Sequence, residues 1–186
     1  MLNKINNFFV KEPLWREANR WSLSSIPSSV SAWMLESNSL TYRIKNSFQQ
    51  PFNVQLKGQG LAKPFLSDAN ALNELHHCYA IVREVVLSTG GQPLVFARTT
   101  LPRQVAKNLQ ELTHLGSRPL GEVIFSYPNL SRVRLDFTKV HRSQLNESTK
   151  KLIGAEPYVW GRRNTYKINQ CEFLVSEFFL PALFES

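Results

Sequence analysis

Glycine is scarce in this chain, with eight in 186 residues. None falls into a Gly-x-Gly-x-x-Gly, a Walker-type loop or a Gly-x-Ser-x-Gly elbow, so glycine-loop nucleotide binding and serine-hydrolase chemistry lack support. Cysteine is scarcer still: Cys78 and Cys171 each sit inside an apolar alternating run, which predicts reduced, buried thiols rather than a structural bridge. The four histidines offer only the pair His76-His77 beside Cys78. No Cys-x-x-Cys or His-x-x-x-His spacing accompanies it, so no metal or other cofactor is expected. Long hydrophobic runs are missing too. Near the N-terminus the longest is Phe8 to Val10, too short for a signal-peptide core. The run Phe178 to Phe184, interrupted by Pro181, falls well short of the roughly 18 residues of a membrane span. The expectation is a cytoplasmic protein without stable membrane insertion. Internal repeats and low-complexity tracts are also absent.

What the chain does contain is enough apolar material for one core. Hydrophobic residues make up 42 % and aromatics 11 %, including 12 Phe and 4 Trp. The length suits a single domain over residues 1–186, with residues 1–27 as a Ser-, Asn- and Pro-rich extension anchored by Trp15 and Trp21. Lys plus Arg number 22 against 14 Asp plus Glu, a net charge of +8, which favours an anionic partner. The basic residues are spread along the chain and no recognition-helix pattern stands out, so a nucleic-acid partner is not expected.

The spacing of Val30, Trp33 and Met34 predicts a short amphipathic helix from Ser28, and Ser39 is placed to cap a second helix carrying Leu40 and Ile44. A short strand is expected at 53–57, followed by a connection punctuated by Gly58 and Gly60. Cys78 to Leu87, a turn at Ser88-Thr89-Gly90-Gly91-Gln92, and Leu94 to Leu101 read as an antiparallel hairpin. Pro102 opens a helix through Val105, Leu109 and Leu112 that ends near Gly116. Strands are expected at 121–126 and 130–137, and a loop or surface helix at 139–156. Tyr158 to Ile168, the turn Asn169-Gln170 and Cys171 to Leu180 form a second hairpin. This order predicts an α+β domain on one antiparallel sheet, with helices covering one face.

Strand alternation isolates several charges among hydrophobes. Glu177 shares a face with Phe173, Val175 and Phe179, and Arg83 shares one with Tyr79, Ile81, Val85 and Leu87. Glu84 faces the other way, among Ala80, Val82 and Val86. An unpaired buried charge costs several kcal/mol, roughly, so each group needs a partner or a ligand. Arg83 either closes an internal salt bridge with Glu177 or with the surroundings of Glu84, or forks onto a ligand carboxylate while Glu177 handles a proton. Arg98, on a face with Leu94, Phe96 and Thr100, is a second candidate anion contact. In Trp160-Gly161-Arg162-Arg163 the adjacent arginines point to opposite faces, so one can serve a site while the other is solvated. Gly161 allows close approach there. Leu120-Gly121, after Pro119, is a place where a backbone N–H can turn toward a ligand.

The block Val159-Trp160-Gly161-Arg162-Arg163, followed by Ser176-Glu177-Phe178-Phe179-Leu180-Pro181-Ala182, resembles the chorismate pyruvate-lyase family. Val82-Arg83-Glu84-Val85, Ala97-Arg98-Thr99-Thr100-Leu101-Pro102, Pro119-Leu120-Gly121 and Leu130-Ser131-Arg132 come in the order and approximate spacing of that family. The likeness runs from about residue 28 onward.

The resemblance implies a cofactor-free lyase that converts chorismate into 4-hydroxybenzoate and pyruvate, at the entry to ubiquinone head-group synthesis. It also implies a six-stranded antiparallel sheet with an enclosed ligand site; a monomer is the separate expectation. Carried over by position, Arg83 holds the ring carboxylate, Glu177 acts at the hydroxyl end, and backbone N–H groups at Leu40 and Leu120 contribute to binding. Leu40 stands where that family more familiarly has Met, and 139–156 looks longer than its counterpart. Arg98 and Arg162 are secondary anion contacts. An apolar wall of Ile81, Phe173, Val175 and Phe179 would hold the flat product, which predicts product inhibition.

Two other readings compete. A non-catalytic effector-binding module for small aromatic acids would share the fold, although the stretch before Ser28 is too short for a helix-turn-helix domain. In a basic interaction protein, Arg83 and Glu177 would merely pair.

Overall fold

Apolar alternation and turn chemistry dictate the two central hairpins of the computed structural model, which describes residue 5 and residues 8–185. The first joins β3 (Ala80–Thr89) to β4 (Gln92–Pro102). Gly90 and Gly91 turn the chain at φ +54° and +83°, the left-handed conformation that a tight two-residue hairpin requires. The second joins β6 (Tyr158–Ile168) to β7 (Cys171–Phe179), with Asn169 at φ 54° in the turn. Strands β2 (Phe52–Ala62) and β5 (Ser131–His141) flank them, and β1 (Arg16–Glu17) adds a two-residue edge. The order is β1-β5-β6-β7-β4-β3-β2, and every neighbouring pair is antiparallel.

The sheet therefore has seven strands, one more than the resemblance implied. The extra strand comes from the N-terminal extension, where Arg16 and Glu17 pair with Phe137 and Asp136. Strand β2 is also longer than the residues 53–57 expected. Gly58 and Gly60 lie within it, and the register shifts at a bulge between Leu56 and Gly58.

Helices α1 (Ser28–Met34) and α2 (Leu40–Ser47) form where the spacing placed them, and Ser39 Oγ accepts from the Tyr42 N–H at 3.3 Å. The helix expected from Pro102 to Gly116 is broken. It becomes α4 (Arg103–Asn108) and a single 3-10 turn at Gln110–Thr113. The strand expected at 121–126 is a helix, α5 (Leu120–Ile124). Its Leu120, Val123 and Ile124 turn inward together at helical spacing. Residues 139–156 hold the end of β5 and α6 (Glu147–Leu152), which Asn146 caps through the Thr149 N–H at 2.8 Å.

Both faces of the central strands are buried, so both need cover, and the expectation of helices on one face is corrected. On the first face, α1, α2, α4 and α5 pack against Val85, Ala97, Trp160, Val175 and Phe179. On the second, Phe8, Phe9, Leu145 and Ile153 pack against Val86, Phe96, Val140 and Phe178, with Phe65 ahead of α3 (Leu66–Ala71). Phe96 and Phe178 stack at 4.7 Å on this second face. Gly161 lies against that stack, because a Cβ there would stand 2.6 Å from Phe178 Cδ1. Its close approach thus serves packing on the second face. Cys171 is a buried free thiol, as read, whereas Cys78 is only half-buried.

Candidate active site

The first face of the sheet carries a row of charged side chains that the helical layer covers. Between them lies a narrow cavity of about 40 Å³. Arg83, Arg162, Glu177, Leu40 and Leu120 all line it, together with Thr99, Tyr166, Val175 and other apolar residues. Of the expected apolar wall only Val175 is present. Ile81 and Phe173 pack under α4 and α5, and Phe179 packs under α1.

Arg83 is 2 % exposed. Its Nη2 donates to the carbonyls of Gly116 and Arg118 at 3.0 and 3.1 Å, and its buried Nε has no partner among the described residues. Burial pulls the guanidinium from 12.5 down to about 10. Neither Glu84 nor Glu177 pairs with it, which settles the salt-bridge alternative left open by the sequence.

Glu177 pairs instead with Arg162, whose Nε lies 2.6 Å from Oε2. Asn164 Nδ2 reaches the same oxygen at 3.4 Å, while Oε1 accepts no hydrogen bond among the described residues. Arg162 is 1 % exposed, and its Nη1 donates to the carbonyls of Trp33, Met34 and Glu36 at 3.2, 3.4 and 2.6 Å. Those carbonyls lie at or just beyond the C-terminal end of α1, where intrahelical donors run out. One side chain thus fixes both Glu177 and the end of a covering helix.

Register sets the span between the two ends. Arg83 opposes Thr99, Thr99 opposes Val175, and Glu177 lies two residues along β7. Two strand spacings and two residue rises separate the Cα atoms of Arg83 and Glu177 by about 12 Å.

Leu40 and Leu120 begin α2 and α5, where first-turn N–H groups have no intrahelical partner. The two helix starts meet closely at Gly121, where a Cβ would lie 2.7 Å from Ser39 Oγ.

Arg98 does not join the site. Its guanidinium lies on the second face, where Nη1 reaches Glu84 Oε1 at 2.5 Å and Nε stands 4.0 Å from Asp68. Burial pushes the Glu84 carboxyl up against the opposing pull of Arg98. Arg163, expected to be solvated, is 2 % exposed and paired with Asp68 at 3.1 Å and Asp136 at 2.9 Å. Sequence reasoning missed Tyr166, which shares the alternating face of Arg162 and lines the cavity. Its ring centroid lies 6.0 Å from those of both Phe125 and Phe173. Among the described residues no group of three or more His, Cys, Asp or Glu is arranged to hold a metal ion. No helix among them is long and apolar enough to cross a membrane.

A sequence profile described as chorismate lyase matches residues 9–186. A curated relative from Methylococcus capsulatus, named probable chorismate pyruvate-lyase, is 38 % identical over 153 residues, covering 82 % of this chain and 94 % of its own. Another of that name, from Thiobacillus denitrificans, is 33 % identical and covers 84 % and 85 %. The chain belongs to the chorismate lyase family. Membership in the chorismate lyase family places it among lyase enzymes. The fold is shared more widely, since the effector domain of PhnF from Mycobacterium smegmatis superposes with a TM-score of 0.57 at 15 % identity. That overlay covers 80 % of this chain and 91 % of the other. A ligand-binding domain of a GntR-family regulator from Bordetella bronchiseptica gives 0.52 at 17 %, covering 71 % and 84 %. At such identities these overlays speak for fold alone.

Proposed function

We propose that this protein is a chorismate pyruvate-lyase that converts chorismate into 4-hydroxybenzoate and pyruvate. The observation that carries the reading is Arg83, a desolvated guanidinium with no carboxylate partner among the described residues, at one end of a narrow cavity whose other end holds Glu177. A buried cation left open in this way is completed by an anionic ligand. The ring carboxylate of chorismate takes that place, assisted by backbone N–H groups at Leu120 and Leu40. The C4 hydroxyl end then lies toward Glu177.

The reaction needs positioning and one proton relay. Glu177, held through Oε2 by Arg162, accepts the proton from C4 at Oε1. The electrons of the C4–H bond become the last double bond of the aromatic ring as the C3–O bond breaks. Enolpyruvate departs with the C–O electron pair, takes up a proton and ketonises to pyruvate. The atoms of chorismate account for both products, so no water, oxidant or reductant enters the balance. A positioned acid/base group contributes about 10²- to 10⁴-fold, and aromatisation supplies the driving force. Arg162 provides a second cation for the dianionic substrate.

The slot among Val85, Leu87, Ile124 and Val175 holds a flat product well, so slow release and product inhibition accompany turnover. In this reading the enzyme is a monomer, and the product is a precursor of the ubiquinone head group, made in the cytoplasm.

The test is incubation of the purified protein with chorismate, without added metal, while both products are followed and Glu177→Ala serves as control. Equimolar products that vanish in the variant support the reading. Binding of 4-hydroxybenzoate without turnover would reassign the protein as an effector-binding module.

A further inference from the structure

The line from Arg83 to Glu177 divides the cavity into two unlike flanks. One is apolar, built by Val54, Val85, Leu87 and Ala97. The other includes β6, from which Arg162 and Tyr166, on one face of the strand, both reach the cavity. Chorismate carries two carboxylates, and its C3 enolpyruvyl arm must project to one flank once the ring lies between Arg83 and Glu177. Placing that second carboxylate against valine and leucine leaves it desolvated and unpaired, so the polar flank is its place.

Tyr166 is positioned to receive it. The side chain is 4 % exposed, lines the cavity, and its hydroxyl makes no hydrogen bond among the described residues. Phe125 and Phe173 hold the ring from two directions, so the hydroxyl is directed without a protein partner. The charged groups that bear on it are Glu177, Arg162, Arg132 and Glu36, and Arg132 is its cross-strand neighbour on β5. Burial, reinforced by Glu177, pushes the phenol up to about 12, so it stays a neutral donor at physiological pH.

We propose that Tyr166 is a specificity-determining residue whose hydroxyl, on the same strand face as Arg162, donates a hydrogen bond to the enolpyruvyl carboxylate of the substrate. The inference rests on the chorismate reading above. It separates the groups that hold the ring, used by substrate and product alike, from a group used by the substrate alone.

Tyr166→Phe keeps the ring packing and removes only the hydroxyl. The expected result is a 10- to 100-fold loss of kcat/KM for chorismate, roughly what one hydrogen bond to a charged group is worth, with 4-hydroxybenzoate affinity unchanged within about twofold. A second readout is binding of 3-(carboxymethoxy)-4-hydroxybenzoate, a stable aromatic with an ether-linked carboxylate beside the hydroxyl. Its affinity should fall in the variant while that of 4-hydroxybenzoate holds. Unchanged kcat/KM, or equal weakening of both aromatic ligands, overturns the role given to Tyr166 and leaves the lyase reading intact. Absence of turnover in the wild type, with the dicarboxylate still bound through Tyr166, overturns the lyase reading and keeps the subsite. Absence of both overturns both.

Discussion

Arg83 and Arg163 are both 2 % exposed, yet removing their charges should have very unequal effects on the fold. Arg163 meets two carboxylates, Asp68 and Asp136, at 3.1 and 2.9 Å. Arg163→Met leaves both acids buried with an incomplete set of partners, a loss of about 3 to 5 kcal/mol. Arg83 meets none, and its fall from 12.5 to about 10 means that burial disfavours its charged form by about 3 kcal/mol. Hydrogen bonds to the Gly116 and Arg118 carbonyls offset part of that, at about 1.5 kcal/mol or more each. Arg83→Met forfeits those bonds and removes the desolvation, so its stability should stay within about 1 kcal/mol of wild type or exceed it. Affinity for 4-hydroxybenzoate should fall at least about 100-fold, since the guanidinium's bonds to the ring carboxylate are charge-assisted. Urea unfolding of both variants and calorimetric titration of the ligand make the comparison. Destabilisation of Arg83→Met as large as that of Arg163→Met would refute the reasoning, because Arg83 would then be a structural clamp on residues 116–118. Retained binding would refute it from the other side.

Three further outcomes are expected. Glu177→Gln keeps the side-chain shape and removes the proton acceptor, so turnover should drop about 10²- to 10⁴-fold while 4-hydroxybenzoate still binds; a steady-state assay with a parallel titration reads both. Gly161→Ala forces a Cβ to 2.6 Å from the Phe178 ring and should cost about 1 to 3 kcal/mol, seen as a lower Tm. Glu84, raised by burial, is protonated more readily in the folded state than in the unfolded one. Its contribution is therefore full below the unfolded value and is lost as pH rises through the folded one. Urea stability of wild type relative to Glu84→Gln should decline as pH rises above the ordinary carboxylate range, and a rise there would contradict the assignment.

The two hairpins were legible because nearest-neighbour information suffices for them: alternation marks the strands, and Gly90-Gly91 and Asn169-Gln170 mark the turns. Elements that depend on distant partners were not. Gly58 and Gly60 look like punctuation, yet pairing with β3 carries an extended strand through them with a bulge. Residues 121–126 suit a strand or a helical turn equally well over so short a run, and burial of Leu120, Val123 and Ile124 together decides for the helix. Tyr166 was passed over because an aromatic in a strand reads as core. Only the covering helices reveal that this one borders a cavity.

The same limit explains why Arg83 and Arg98 looked alike in sequence and differ in the fold. Each is a lone charge on an apolar face. The partners that tell them apart lie elsewhere: Glu84, one residue from Arg83, points through the sheet to Arg98, and Asp68 arrives from α3. On the second face, Asp68, Glu84 and Asp136 supply carboxylates for Arg98, Arg163 and Arg134, so the charge set is closed internally. On the first face, Glu177 is the acid facing two arginines, and Arg162 takes it. The excess cation is Arg83, one pleat from the closed set and facing the cavity. A sheet that matches its buried charges on one side and leaves a single guanidinium unmatched on the other needs an anion to complete it. That imbalance, more than the presence of an arginine, is what locates the ligand carboxylate.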